Sequence, residues 1–175
     1  MSQDQISGVD SIIAEALNAL AADPHVRQWQ AKENNWVSYF ASRYLVPRFR
    51  LGSPLSDAAQ IGVEVSVPQT PQRGTRGVRK DTVIWSKAGM TCWGEGESAC
   101  FHPLAILEWK VHRHGRRIRN RLIAEEREWL REYCEWQSDV VAYAIEVDGT
   151  EQPTIIRCFR FLGRDECEWL EAKCG

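Results

Sequence analysis

Three residues with complementary chemistry stand in two apolar segments of the chain. Asp81 lies near the start of residues 80–85, and Glu108 and Lys110 lie within residues 104–111. Because alternate side chains of a strand project to opposite faces, Glu108 and Lys110 share a face and the residue between them faces the other way. Burying a carboxylate and an ammonium group is unfavourable unless each finds a partner or a metal ion. The spacing therefore predicts a polar site on this strand.

The chemistry that these residues could support is metal-assisted hydrolysis. Asp81 and Glu108 provide the hard oxygen ligands that Mg²⁺ prefers, with Mn²⁺ as the alternative, and the Trp109 carbonyl is a further candidate ligand. In phosphodiester hydrolysis such a cation polarises the phosphoryl oxygen and lowers the pKa of a bound water. Lys110 would orient or help to deprotonate that water, or offset the charge of the phosphate.

Two further glutamates are candidates for an accessory role. Glu33 lies between Trp29 and Trp36 on the apolar stripe of a predicted helix, where a carboxylate needs an explanation. It either contacts the metal or a water, or it reaches solvent or an arginine at the helix edge. Glu64, between two valines of a predicted strand, is the second choice, and we favour the solvent-facing side of the strand for it.

Basic residues form two groups that flank the acidic candidates in sequence. Both groups are predicted to contact the phosphate backbone of a nucleic acid, and the second lies at a helix N-terminus, where an anion is favoured. A solvated surface patch, paired in the second group with Glu125 and Glu126, is the alternative. The predicted nucleic-acid-binding residues are Arg73, Arg76, Arg79, Lys80, Arg113, Arg116, Arg117, Arg119 and Arg121.

The composition indicates a globular chain. Apolar residues make up 43% and charged residues 26% of the sequence, which excludes a disordered chain and a membrane-embedded one. Residues 1–10 lack the pattern of a secretion signal, so we expect a cytoplasmic protein without a membrane partner. The net charge of −2 argues against binding nucleic acid by bulk electrostatics, so the distribution of the arginines matters more than their number.

The elements that must position the site follow from hydrophobic periodicity and from turn residues. The predicted order is helix, helix, strand, strand, strand, helix, strand, strand, helix, which favours a mixed sheet flanked by helices. Helices are predicted at 9–21, 25–45, 118–136 and 164–173, and strands at 61–67, 80–85, 104–111, 140–147 and 154–161.

This arrangement resembles the PD-(D/E)XK, or restriction-endonuclease-like, nuclease superfamily. The resemblance covers residues 25–147, with Asp81 at the start of the second strand and Glu108-Trp109-Lys110 in the third. It implies that Asp81 and Glu108 bind the metal, that Lys110 is the catalytic lysine and that Glu33 is the glutamate of the first helix. The residue before Asp81 is Lys80, where the family name expects proline.

The resemblance also implies a fold and a function. The fold is α/β (α+β), a single domain of residues 1–175 with an αβββαβ core at 25–147, an N-terminal helical appendage at 1–24, and a C-terminal strand and helix at 148–175. The function is Mg²⁺- or Mn²⁺-dependent hydrolysis of phosphodiester bonds, most directly by a DNA endonuclease. The alternatives are a non-catalytic nucleic-acid-binding or protein-interaction module and an RNA nuclease. A homodimer or a partner protein would supply specificity to so short a chain.

Overall fold

In the part of the chain that the structure describes, six strands form one open sheet with helices on both faces. The computed structural model describes residues 3–74, 76–93, 100–114 and 120–175, without the side chain of Asn120. Within these ranges the α-helices are α1 (Gln3–Ala21), α2 (Glu33–Tyr39) and α3 (Asn120–Trp136). The strands are β1 (Ile61–Val67), β2 (Val78–Ile84), β3 (Ala105–His112), β4 (Val141–Asp148), β5 (Ile155–Leu162) and β6 (Asp165–Lys173).

The strands lie in the sheet in the same order as in the chain. Neighbouring strands are antiparallel except for β3 and β4, which run parallel and are joined through α3. A parallel pair needs such a crossover, because a tight turn only reverses the chain. The expected mixed sheet is therefore confirmed, and the five predicted strands are present with boundaries shifted by at most two residues.

The segment predicted as one helix over 25–45 is divided into four parts. Pro24–Val26 forms a single 3-10 turn, and its start is capped by Asp23, whose carboxylate accepts a hydrogen bond from a backbone N–H. The helix begins only at Glu33, continues as a π-helical segment over Phe40–Leu45 and ends in a 3-10 turn at Val46–Arg48. The apolar period alone did not reveal these changes of helical pitch.

The predicted helix at 164–173 is wrong, because β6 occupies these residues. Gly163 adopts a positive φ of 56°, which suits the tight turn that reverses the chain after β5. β6 then pairs with β5 from Asp165, opposite Leu162, to Lys173, opposite Ile155. Pairing with a neighbouring strand satisfies the backbone of this segment, which a short terminal helix would have to satisfy internally.

The sheet separates two hydrophobic cores. The first, called the α1/α2 core, lies under α1 and α2 and includes Leu17, Phe40 and Trp109. The second, the α3 core, lies under α3 and includes Ile106 and Trp129. All six cysteines are free, and four of them fill these cores as small apolar side chains: Cys158 and Cys174 in the first, Cys92 and Cys134 in the second.

Helix α1 belongs to the same hydrophobic unit as the sheet. It begins at Gln3 rather than at residue 9, and Val9, Ile13 and Leu17 repeat at four-residue spacing on its buried face. In the described ranges, no helix is both long enough and apolar enough to cross a membrane.

Candidate active site between diverging strands

β2 and β3 separate at the position of Asp81. Their ladder extends only from Ile84, opposite Ala105, to Thr82, opposite Leu107. β2 nevertheless continues along β1 as far as Val78. The gap bounded by residues 78–81 on one side and 108–112 on the other is called the fork below. Along the fork, β3 has no strand partner on its β2 side among the described residues.

Side chains take the place of the missing strand partner. Asp81 Oδ2 accepts a hydrogen bond from the Trp109 N–H at 2.8 Å, and the Trp109 carbonyl accepts one from Lys110 Nζ at 2.8 Å. The Val111 backbone is close enough to the Glu33 carboxyl group, at the start of α2, to lower its pKa, although burial raises that pKa more strongly. Buried backbone groups must be paired, so Asp81 caps the open edge of β3. The Asp81 N–H in turn donates to Glu108 Oε1 at 3.4 Å.

Two lysines bridge the carboxylates of the fork. Lys110 Nζ lies 3.7 Å from Glu33 Oε1 and 4.0 Å from Glu126 Oε1 on α3. Lys80 Nζ lies 3.3 Å from Glu108 Oε1 and 3.2 Å from Glu126 Oε2. The fork cluster therefore consists of Glu33, Asp81, Glu108, Glu126, Lys80 and Lys110. α2 contributes one acid to it and α3 contributes another, so it joins groups from both faces of the sheet.

The fork cluster carries more negative than positive charge. Glu108 is 5% exposed, and burial raises its pKa well above the usual range although nearby Lys80 opposes the shift. Burial also raises the pKa of Asp81 and of Glu33. Burial lowers the pKa of Lys110, but the surrounding carboxylates outweigh this effect and its net pKa is raised. By formal count, four carboxyl groups outnumber two ammonium groups, and burial disfavours the charged form of three of the four.

A local change in β1 decides which way Lys80 points. Glu64 has a positive φ of 54°, a conformation that costs a non-glycine residue about 1 kcal/mol or more. Ile61, before Glu64, packs on the α1/α2 core, and Val65, after it, packs on the α3 core. The two residues are four positions apart, so in a regular strand they would face the same side. Lys80 is paired with Val65 and shares its orientation toward α3.

Gly62 allows this change of face. A Cβ at Gly62 would lie 2.6 Å from Val65 Cγ2, closer than carbon atoms can approach. Glu64 itself is half-buried, and its charge contributes to the raised pKa of Asp81. The second-choice accessory acid of the sequence analysis therefore lies beside the fork, where it adds to the excess of negative charge.

Sequence reasoning did not identify Glu126 as a member of the site. It had considered Glu126 only as a partner for surface arginines. Glu126, Trp129, Leu130 and Tyr133 nevertheless share one face of α3, by the three- and four-residue spacing of a helix. The other three residues are buried. A carboxylate on an otherwise apolar helix stripe therefore indicated a site residue here, as it did for Glu33.

Three residues predicted to bind nucleic acid are engaged by acidic residues. Arg73 pairs with Glu132 at 2.7 Å and Arg121 with Glu125 at 2.7 Å. Lys80 is 4% exposed and is held inside the fork cluster, so it does not belong to a surface patch. The change of face in β1 is the physical reason for its burial.

The remaining arginines of the prediction are placed differently. Arg76 and Arg79 are exposed and Arg113 is half-buried, and none of the three forms an ion pair with any residue in the described part of the chain. Arg79 lies on the β2 arm of the fork, and Arg113 directly follows the β3 arm. Three predicted contacts lie outside the described residues: Arg116, Arg117 and Arg119.

The donor set of the fork fits a hard divalent cation in kind and in charge. Asp81 and Glu108 provide carboxylate oxygens at the same stretch of β3, and the surplus of negative charge would be relieved by a cation. In their present rotamers, no group of three or more His, Cys, Asp or Glu among the described residues is arranged to hold a metal ion. Glu108 is instead engaged by Lys80, and the Trp109 carbonyl by Lys110.

Comparisons of this chain with protein-family models, with curated proteins and with solved structures gave no match. The function must therefore be inferred from the fork itself.

Proposed function

We propose that this chain is a metal-dependent nuclease, most directly a DNA endonuclease, and that the fork is its active site. The observation that carries the proposal is the concentration of Asp81, Glu108 and Lys110 on the unpaired edge of β3, with negative charge in excess. The order α2, β1, β2, β3, α3, β4 also supports the resemblance to the PD-(D/E)XK superfamily.

Asp81 and Glu108 would hold Mg²⁺ or Mn²⁺, with the Trp109 carbonyl as a further ligand. When bound, the cation would polarise the phosphoryl oxygen and lower the pKa of a bound water. Lys110 keeps its proton at neutral pH because the nearby carboxylates raise its pKa. It therefore acts as an ammonium group that offsets phosphate charge or orients water, rather than as the base. Glu33 orients this ammonium group from a distance of 3.7 Å.

Arginines on the two arms of the fork would hold the phosphate backbone. Arg79 and Arg113 are the best placed, because neither is engaged by an acidic partner in the described part of the chain. Phosphate contacts of this kind position a nucleic acid without reading its sequence. We therefore attribute any sequence specificity to a second copy of this chain or to a partner protein.

The direct test is cleavage by the purified protein and by Lys110→Ala. Supercoiled plasmid, single-stranded DNA and RNA are each incubated with Mg²⁺, Mn²⁺ or EDTA. We expect metal-dependent nicking of the plasmid by the wild type and none by Lys110→Ala, whose fold and metal binding should be largely unchanged. Lys87→Ala removes an exposed lysine and is the matched control. Undiminished cleavage by Lys110→Ala contradicts the assignment, and cleavage of RNA alone would make the protein an RNA nuclease.

One observation favours a second candidate, a non-catalytic nucleic-acid-binding or protein-interaction module. Lys80 already neutralises part of the charge on Glu108, so the fork cluster could serve only as an internal ion-pair network that stabilises the open edge of β3. This candidate predicts binding of DNA in EDTA through the exposed arginines, without cleavage under any metal. The same substrate panel separates the two candidates.

A further inference from the structure

Lys80 is enclosed by two carboxylates and one aromatic ring. Its Nζ lies 3.3 Å from Glu108, 3.2 Å from Glu126 and 3.7 Å from the centroid of the Trp129 ring. Lys80 is 4% exposed, and burying an ammonium group is costly unless partners replace its water. Here two carboxylates and the face of an indole ring compensate for the lost water.

The two lysines of the fork cluster have different partners. Lys110 forms ion pairs with Glu33 and Glu126, whereas Lys80 is paired with Glu108, one of the two proposed metal ligands. No other ion pair to Glu108 is present among the described residues. The cation that competes most directly for the Glu108 carboxylate is therefore a side chain of the protein itself.

We propose that Lys80 is a positioning residue, an internal cation that is paired with the Glu108 carboxyl group until a divalent cation replaces it. The inference rests on the proposed metal-dependent function. A divalent cation that binds Glu108 must displace the Lys80 ammonium group or overcome its repulsion. Lys80 thereby sets the concentration at which the fork takes up metal.

The displaced ammonium group keeps two of its three contacts. Glu126 and Trp129 lie on one turn of α3 and both contact Lys80 directly. Release from Glu108 therefore transfers Lys80 to an existing carboxylate and ring rather than leaving a buried charge alone. In this scheme Glu126 acts through Lys80: it favours metal binding by retaining the lysine after release.

The test is the affinity of the full-length protein for Mg²⁺, measured by isothermal titration calorimetry without nucleic acid. Lys80→Met should bind Mg²⁺ about tenfold more tightly than the wild type, because a competing unit charge has been removed. Lys80→Gln should show the same gain and provides a second variant if the first does not fold. Lys87→Met, at an exposed lysine, is the control and should bind as the wild type does. Unchanged or weaker binding by the two Lys80 variants overturns the proposal.

Glu126→Gln tests whether Glu126 favours metal binding by retaining Lys80 after its release from Glu108. With Glu126 neutral, Lys80 has only Glu108 as a carboxylate partner, so Mg²⁺ affinity should fall severalfold. In a Lys80→Met background the same substitution should have a smaller effect, because residues that act through one another are not additive. An equal loss in both backgrounds would show that Glu126 acts on the cation directly and would overturn its role through Lys80.

The outcomes separate this inference from the proposed function. If the wild type binds no Mg²⁺ and cuts no substrate, the proposed function fails and the inference fails with it. If the wild type binds Mg²⁺ and cuts DNA while the Lys80 variants match its affinity, only the role of Lys80 is refuted. Circular dichroism of each variant checks that the fold is retained.

Discussion

The backbone hydrogen-bonding groups at the two edges of β3 find their partners in different ways. Toward β4, the strand is paired without interruption from Ala105, opposite Val141, to His112, opposite Asp148. Toward β2, the ladder ends at Leu107, and the side chain of Asp81 accepts the hydrogen bond of the Trp109 N–H beyond it. One edge is closed by another strand and the other by carboxylates.

This difference explains how a charged cluster can exist in the middle of a sheet. At the closed edge, β4 supplies the backbone partners of β3, and Ile145 and Val147, opposite Trp109 and Val111, continue its apolar face. At the open edge, each carboxylate has a structural task as a hydrogen-bond acceptor. The carboxylates that accept these hydrogen bonds are also those proposed to act in the active site. The fold therefore constrains their positions before any ligand binds.

The largest expected effect comes from removing the carboxylate at the apex of the fork. Asp81→Ala should reduce cleavage about 10³-fold and destabilise the protein by about 1–3 kcal/mol, because the buried Trp109 N–H loses its acceptor. Asp81→Asn keeps an acceptor and should restore stability but not cleavage. Plasmid nicking rates and urea denaturation measure the two effects.

The closed edge provides the control for this comparison. Ile145→Val, opposite Trp109 on β4, should cost about 1 kcal/mol through packing alone and leave cleavage unchanged. If Asp81→Ala were as stable as the wild type, the carboxylate would not be the support that replaces a strand.

The second prediction concerns pH. Burial raises the pKa of Glu108 from 4.5 to about 8, so between these values the folded protein holds a proton that the unfolded chain has lost. This contribution to stability is complete below pH 4.5 and is lost as the pH rises toward 8. In the absence of metal, the free energy of unfolding should therefore fall by a few kcal/mol over this range.

Glu108→Gln should flatten this dependence, because glutamine does not titrate. Urea denaturation of both proteins between pH 5 and pH 8 makes the measurement. Asp81 and Glu33 shift in the same direction, so the difference between the two curves isolates Glu108. Parallel curves would contradict the assignment of the shift to this residue.

The third prediction addresses the change of face that opens the fork. Gly62→Ala places a Cβ 2.6 Å from Val65 Cγ2 and should lower stability by about 1–3 kcal/mol through overpacking. Adding Val65→Ala should recover part of that loss, because it removes the clashing methyl groups. The urea midpoint reports both effects, and an unchanged midpoint for Gly62→Ala would show that β1 tolerates a side chain here.

The smallest expected effect distinguishes an arginine without an acidic partner among the described residues from one that forms an ion pair. Arg79→Gln should weaken binding of duplex DNA only a few fold, and should reduce the slope of log affinity against log salt by about 1. Arg121→Gln should change neither quantity, since Arg121 is engaged by Glu125. Fluorescence anisotropy in EDTA measures both variants, and equal effects would mean that ion pairing does not decide which arginine binds DNA.

Local patterns in the sequence were sufficient for part of the site. The period of two places Glu108 and Lys110 opposite Leu107 and Trp109, and both apolar residues lie in the α1/α2 core as alternation requires. An acid on an apolar helix stripe likewise drew attention to Glu33, which the structure brings to 3.7 Å from Lys110. These features depend only on neighbours in the chain.

Other features depend on which segments meet. Residues 164–173 form β6 because a turn at Gly163 brings them beside β5, and no local period distinguishes that strand from a helix. Lys80 is buried because Glu64, on a different strand, adopts a positive φ and changes the face of the paired residues. Glu126 joins the site only because α3 lies across the open fork.

The sequence by itself thus determined five of the six strands that the structure describes, the mixed sheet and the common face of Glu108 and Lys110, since these follow from side-chain period and turn residues. Only the tertiary structure decided that β2 leaves β3 at Asp81 and that carboxylates and lysines fill the gap. The reason is physical: the end of a ladder and the pairing of buried charges are set by contacts between segments far apart in the chain, and their free energies appear only when those segments pack together.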